Sequence, residues 1–262
     1  MTDEVTVPGG RLAYEQHGVG APLLLIRPLG GSMALWGAFR AQLAQHFRVI
    51  SFDLRGSGQS SGRAAFGTRA IARDALALLD ALALAHAHVF GISLGGMAAT
   101  WLAIDAPTRV TKLVVACAPP LGLELTHASL RRELAMAACF LRTRDQVEPA
   151  LVKRVLSHSF REAYPDEVMR IQRIVAEHPS TRASLLRLAL SGLLHRPRPL
   201  GQVRAPTLVL AAARDGLLGT EPPRELAASI PGARFQVLPN SGHDLTLEQP
   251  LATARAVLDF LG

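Results

Sequence analysis

The chain has 262 residues, 49% of them apolar, which suits one α/β domain with a sizeable core. No run of eighteen apolar residues offers a membrane span, and the polar, acidic start MTDEVTVPGG lacks the basic-then-apolar order of a secretion signal, so a cytoplasmic protein is expected. The net charge of +7 raises nucleic acid as a partner, but most of the excess falls in residues 121–200 as arginines interleaved with glutamates; this reads as a solvated face, at most mildly attractive to anionic substrates or acyl carriers, and neither nucleic acid nor membrane is expected.

In chain order, EVTV and RLAYEQHG read as antiparallel strands joined by Pro8-Gly9-Gly10. PLLLIRP is a short buried strand, SMALWGAFRAQLAQHF a helix with Ser32 as N-cap, and RVISFD another strand. RAIARDALALLDALAL is helical, HAHVFGI a strand, LGGMAATWLAIDAP a helix stopped by Pro107, and VTKLVVACA a strand. The alternation then stops. Residues 121–200 show only helical patterns: THASLRRELAMAACFLRT, QVEPALVKRVLS, PDEVMRIQRIVAEH and STRASLLRLALSGLL. TLVLAAA, EPPRELAASI, ARFQVLP and PLATARAVLDFLG restore it as strand, helix, strand, helix.

Strands alternating with helices imply a mostly parallel sheet, here of eight strands, covered on both faces. The division expected is a core of residues 1–120 and 201–262, with an all-helical cap, 121–200, inserted after the sixth strand. Cys117 and Cys139 lie in apolar runs without metal-ligand spacing and read as small core residues.

Gly-x-Ser-x-Gly occurs twice, around Ser60 and around Ser93. Serine chemistry on this pattern needs a sharp strand-to-helix turn, with flanking glycines for close packing and a helix N-terminus favouring developing negative charge. Ser93 has HAHVF before it and LGGMAATWLAI after it. Ser60 sits in the polar loop DLRGSGQSSG, so Ser93 is the candidate nucleophile.

These motifs make the chain similar to the α/β-hydrolase superfamily over nearly its whole length. DLRGSGQS resembles the Asp-x-Arg-Gly-x-Gly-x-Ser loop of many members. The stretch LLDALALAHAHVFGISLGGMAATWLAIDAPTRVTKLVV and the loop RPLGGSMALW resemble 3-oxoadipate enol-lactonases and related small-molecule esterases. The resemblance implies an α/β-hydrolase fold and the order Ser, acid, His. Of nine histidines, only His243, in LPNSGHDLTLEQP, lies between the last strand and the last helix. Asp215 directly follows TLVLAAAR. Some members carry the acid one strand earlier, where this chain reads VVACAPP and has no carboxylate; Asp244 is expected to point elsewhere and Asp53 to bond internally.

The resemblance also implies an oxyanion hole from the amides of Leu94 and Leu29. Relatives often have His-Gly where this chain has Arg27-Pro28, and Arg27 is read as bracing the loop or, less favoured, meeting a substrate carboxylate. Trp36, Met97 and Phe140 are candidates to line the substrate pocket, each equally a core residue. The function implied is a serine esterase or lactonase for a small to medium substrate, with an acyl-enzyme on Ser93 and neither metal nor organic cofactor. The same triad could serve carbon–carbon hydrolysis, perhydrolysis or a biosynthetic step. A receptor on this fold is the remaining rival; dehalogenases and epoxide hydrolases are disfavoured because they carry Asp at the Ser93 position.

Overall fold

The near-continuous apolar runs of the first half become neighbouring strands, as expected for strands buried on both faces. A computed structural model describes residues 2–122, 144–197 and 199–262. Its strands are β1 (Asp3–Val7), β2 (Gly10–His17), β3 (Pro22–Ile26), β4 (Arg48–Phe52), β5 (Ser61–Gly62), β6 (Ala87–Ile92), β7 (Val110–Ala116), β8 (Thr207–Ala212) and β9 (Arg234–Leu238). They form one sheet ordered β1-β2-β4-β3-β6-β7-β8-β9, antiparallel over its first three strands and parallel from β4 to β9. The eight expected strands are all present. The ninth, β5, has two residues and pairs with β2, too short to leave a periodic signature.

After β3 the chain steps to one side to make β4, then crosses to the other side to make β6. The order therefore reverses around β3, and a crevice opens beyond the carboxyl ends of β3 and β6. Ligand sites of open α/β sheets lie in such crevices.

Alternate residues of each strand feed two cores. Leu24, Ile26, Ile50, Val89, Leu113, Val115 and Val209 pack on α2 (Thr68–Ala81), α3 (Leu94–Asp105) and α8 (Glu221–Ser229). Leu23, Leu25, Val49, Phe90, Ile92, Val114 and Leu210 face α1 (Gly37–Leu43) and α10 (Pro250–Leu261) on the other side. Burying both faces of a parallel sheet in this way is the main favourable contribution to the fold.

Between β7 and β8 the described chain is helical: α4 (Arg144–Val155), α5 (His158–Ala163), α6 (Pro165–Glu177) and α7 (Arg182–Leu193). Val152, Leu156, Phe160, Ile171 and Val175 join Leu35 and Leu247 in a separate apolar cluster, which seats these helices over the sheet edge. The helix expected over 126–143, with Cys139 and Phe140, lies outside the described residues.

The helix expected over 32–47 is broken. Ser32 caps a 3-10 turn, Met33–Trp36, accepting from Ala34 N–H at 3.3 Å; Gly37 then takes φ 38° before α1 begins. Glycine makes that turn at little cost, so the apolar periodicity continues while the backbone does not. Two short helices, α5 and α9 (Leu245–Glu248), carry too few residues for a periodic pattern. No helix among the described residues is long and apolar enough to cross a membrane.

Candidate active site

Ser93 sits between β6 and α3 with φ 54° and ψ −119°, a strained conformation for a residue with a Cβ. Its N–H is held by Ala116 O at 2.8 Å. The two flanking glycines make the turn possible. A Cβ on Gly91 would lie 2.3 Å from Gly95 O, and one on Gly95 would lie 2.1 Å from Ile26 O. The first turn of α3 therefore presses on the end of β3, bringing the Leu94 amide toward the loop that starts at Arg27. Amides in a helix's first turn lack an intrahelical acceptor and favour negative charge. Leu29, two residues into that loop, is half-buried against Leu151 of α4 and Leu185 of α7.

His243, in the loop before α9, comes to the same edge. Its Nε2 is 2.8 Å from Ser93 Oγ and its Nδ1 is 2.8 Å from Asp215 Oδ2. A carboxylate only accepts, so Nδ1 carries the proton and Nε2 is left to accept from the serine hydroxyl. Asp215 follows β8, and its Oδ1 accepts from the amides of Leu217 at 2.9 Å and Leu218 at 2.8 Å. Burial alone would raise the Asp215 pKa. Attraction to His243 whenever its ring is protonated, the hydrogen bond from that ring and the two amides outweigh it and hold the carboxyl below its usual range.

Cys117, with φ 46° just past the end of β7, lies beside this pair; ligand atoms of Cys117, Asp215 and His243 fall within 4.8 Å of one another. Burial, then the negative charges of Asp215 and Asp244, push the thiol well above its ordinary value, so it is held as a thiol hydrogen-bonded to Asp215. Metal ligation would require the thiolate and would break the Asp215–His243 bond. The donor chemistry suits a proton relay better than a metal centre.

Ser60 is placed differently. Its hydroxyl donates to Asp53 O at 2.7 Å and accepts from Ala13 N–H at 2.9 Å, tying the Gly/Ser loop to β2. Asp53 accepts from the amides of Met33 at 2.6 Å and Gln59 at 2.8 Å, an internal role as its context suggested.

The residues proposed to meet substrate divide. Arg27 is fully buried, paired with Asp244 at 2.8 Å and Thr246 Oγ1 at 3.3 Å, and its guanidinium lies 4.6 Å from the Trp36 ring centroid. Trp36 is also fully buried, stacked near Phe39 and Phe90 with centroids 5.6 and 5.8 Å away. Neither presents surface to a ligand; both pack beneath the loop that begins at Arg27, and Asp244 does point away from His243's partner. Met97 remains half-buried on α3, its sulfur facing Gly192 of α7. The sequence pattern passed over Glu248 and Ser157, whose contacts span 91 positions and leave no local signal.

A parallel sheet with a strained serine between strand and helix, a histidine on its hydroxyl and a carboxylate behind the histidine defines the hydrolase class of α/β proteins. The chain belongs to the alpha/beta hydrolase fold family, whose pattern matches residues 21–250. It is 32% identical to a Variovorax paradoxus protein named "Putative carbamate hydrolase RutD", covering 95% of this chain and 96% of the relative. The solved structure of a hydrolase from Pseudomonas aeruginosa is similar with a TM-score of 0.88 and 30% identity, covering 100% of this chain and 98% of that one. An enol-lactonase from Burkholderia xenovorans shares the fold with a TM-score of 0.85 at 24% identity, over 99% of both chains.

Proposed function

We propose that the protein is a serine hydrolase that cleaves an ester or lactone of a small to medium substrate through an acyl-enzyme on Ser93. The observation that carries this reading is the continuous chain Ser93 Oγ, His243 Nε2, His243 Nδ1, Asp215 Oδ2, with 2.8 Å at each hydrogen bond. His243 takes the hydroxyl proton as Ser93 attacks the carbonyl, and the amides of Leu29 and Leu94 receive the oxyanion. His243 then protonates the leaving alkoxide. In the second half it deprotonates water, which attacks the acyl carbon and releases Ser93. Asp215 holds the imidazole in the required tautomer and favours the transient imidazolium. The helices α4 to α7, with Met97 below them, are proposed as the pocket walls.

A second reading, carbamate hydrolysis, is favoured by the relative named for it. It uses the same nucleophile and differs in the nitrogen attached to the carbonyl.

A fluorophosphonate probe tests the assignment. Wild type is labelled and Ser93→Ala is not; labelling that persists in Ser93→Ala and vanishes in Ser60→Ala overturns it. On p-nitrophenyl esters, lactones and carbamates of short acids, Ser93→Ala loses on the order of 10⁴-fold or more in kcat. The preferred panel member separates the two readings.

A further inference from the structure

Glu248 ends α9 and is buried, yet the chemistry proposed above does not use it. Its carboxylate is filled from two separate parts of the chain. Ser157 N–H donates to Oε1 at 2.6 Å and Ser157 Oγ–H to Oε2 at 2.7 Å. Gly242 N–H donates to Oε2 at 2.9 Å. Ser157 is the N-cap of α5, its oxygen also accepting from Phe160 N–H at 3.2 Å, while Gly242 immediately precedes His243. A Cβ on Gly242 would lie 2.3 Å from Glu248 Oε1 and 2.6 Å from Ser157 N, so glycine is what lets the three segments meet.

The surrounding contacts point the same way. Asp244 N–H donates to Val155 O at 3.2 Å. Leu247, beside Glu248, packs among Val152, Leu156 and Phe160. Arg214, beside Asp215, donates to Ser159 Oγ at 2.7 Å. The backbone on both sides of His243 is thus fastened to the helical block, and Glu248 is the node where the polar fastenings meet. Three hydrogen bonds to one buried carboxylate make a stiff constraint, because each would leave an unsatisfied group if broken.

We infer that Glu248 is a positioning residue: it fixes the Gly242–His243 backbone, and hence the imidazole, and makes the seating of the helical block at Ser157 a condition of that placement. The inference rests on the reading of Ser93 and His243 as nucleophile and base. Its consequence is that the end of the block nearest α5 does not swing away from the sheet during turnover without withdrawing the base.

The test reads the rate of Ser93 modification by a fluorophosphonate, which needs no knowledge of the natural substrate. In the full-length protein, Glu248→Gln, which keeps size but turns one acceptor into a donor, is expected to lower kinact about tenfold with KI within about twofold, because a misplaced base slows bond formation rather than binding. Glu248→Asp recovers part of the rate. Ser157→Ala lowers kinact less, and adds little in the Glu248→Gln background because both act through one contact. A Glu248→Gln protein with lowered Tm but wild-type kinact overturns the inference, since a purely structural brace lowers stability and leaves the bond-forming step alone. Should Glu248→Gln fail to fold, Ser157→Ala decides: a threefold or greater loss of kinact supports the inference and a wild-type value overturns it. An unlabelled wild-type protein instead defeats the serine-nucleophile reading itself.

Discussion

Arg27→Met is the perturbation that best separates the two readings of the oxyanion loop. Arg27 begins that loop and Asp244 follows His243, so their ion pair bridges both halves of the site. The side chains are 1% and 2% exposed with 2.8 Å between charged atoms. At that separation, an effective dielectric constant of 20 gives an attraction of about 6 kcal/mol. Burying both charges offsets most of it, so the pair contributes little net stability, but an orphaned partner is costly. In Arg27→Met, Asp244 keeps the Thr246 hydroxyl at 2.6 Å and loses the guanidinium it is paired with, which predicts a loss of about 3–5 kcal/mol. The double variant Arg27→Met/Asp244→Leu removes both charges and is expected to regain at least about 2 kcal/mol of that loss. Urea unfolding followed by far-UV circular dichroism measures the four corners of the cycle. A single variant within about 1 kcal/mol of wild type, with additive effects in the double, refutes the brace. If the same variant then raised KM only for carboxylate-bearing esters, the substrate-binding reading of Arg27 would replace it.

Three further outcomes follow from the same contacts. Ser60→Ala leaves Ala13 N–H without its side-chain acceptor in the interior, so stability falls by about 1–3 kcal/mol in urea unfolding while fluorophosphonate labelling stays at the wild-type extent. Gly95→Ala places a methyl 2.1 Å from Ile26 O; it either abolishes folding or separates α3 from the oxyanion loop, and a well-folded variant labelled at the wild-type rate would contradict this geometry. His195, buried and bonded through Nδ1 to Thr68 Oγ1 at 2.7 Å, is depressed from 6.5 to about 3 by burial and then by the Arg196 charge. The unfolded chain takes up that proton first on acidification. The stability contributed by neutral His195 is therefore complete above about pH 6.5 and is lost as pH falls toward 3, at up to about 1.4 kcal/mol per pH unit. The stability gap between wild type and His195→Asn should shrink by roughly 2–3 kcal/mol from pH 7.5 to 4.5; a pH-independent gap contradicts the buried neutral state. Asp53 and Asp74, whose burial raises their carboxyls, drive the opposite trend but cancel in the difference between variants.

Much of the fold was legible because its signals are local. PLLLI, RVISF and TLVLAA are mostly apolar without a strict polar alternation, which is what a strand covered on both faces requires, and their spacing by helical stretches fixes the parallel connection. The errors fall where local signal and backbone part company. Leu35, Trp36, Phe39 and Leu43 keep a helical apolar spacing across Gly37, so periodicity reads one helix where a 3-10 turn and a helix meet. β5, α5 and α9 are too short for a period to repeat and announce them.

The site divides on the same principle. The turn around Ser93 is written in adjacent residues: Gly91 and Gly95 are glycines because backbone atoms stand 2.3 and 2.1 Å from where a Cβ would be. Around Ser60 the same spelling serves another need. Gly58 holds φ 54°, where a Cβ would meet the Asp53 carboxylate, and Gly62 packs on the backbone of Gly9, so those glycines shape a loop and leave the serine hydroxyl committed to the backbone. Five letters cannot distinguish these cases; the atoms each glycine avoids can. The pairings that support the site carry still less local trace. Arg27 and Asp244 are 217 positions apart, and Glu248 and Ser157 are 91 apart. An arginine just past a strand, or a glutamate in a short helix, takes on meaning only when the fold brings its partner, so the residues that hold the machinery in place are the ones a sequence hides best.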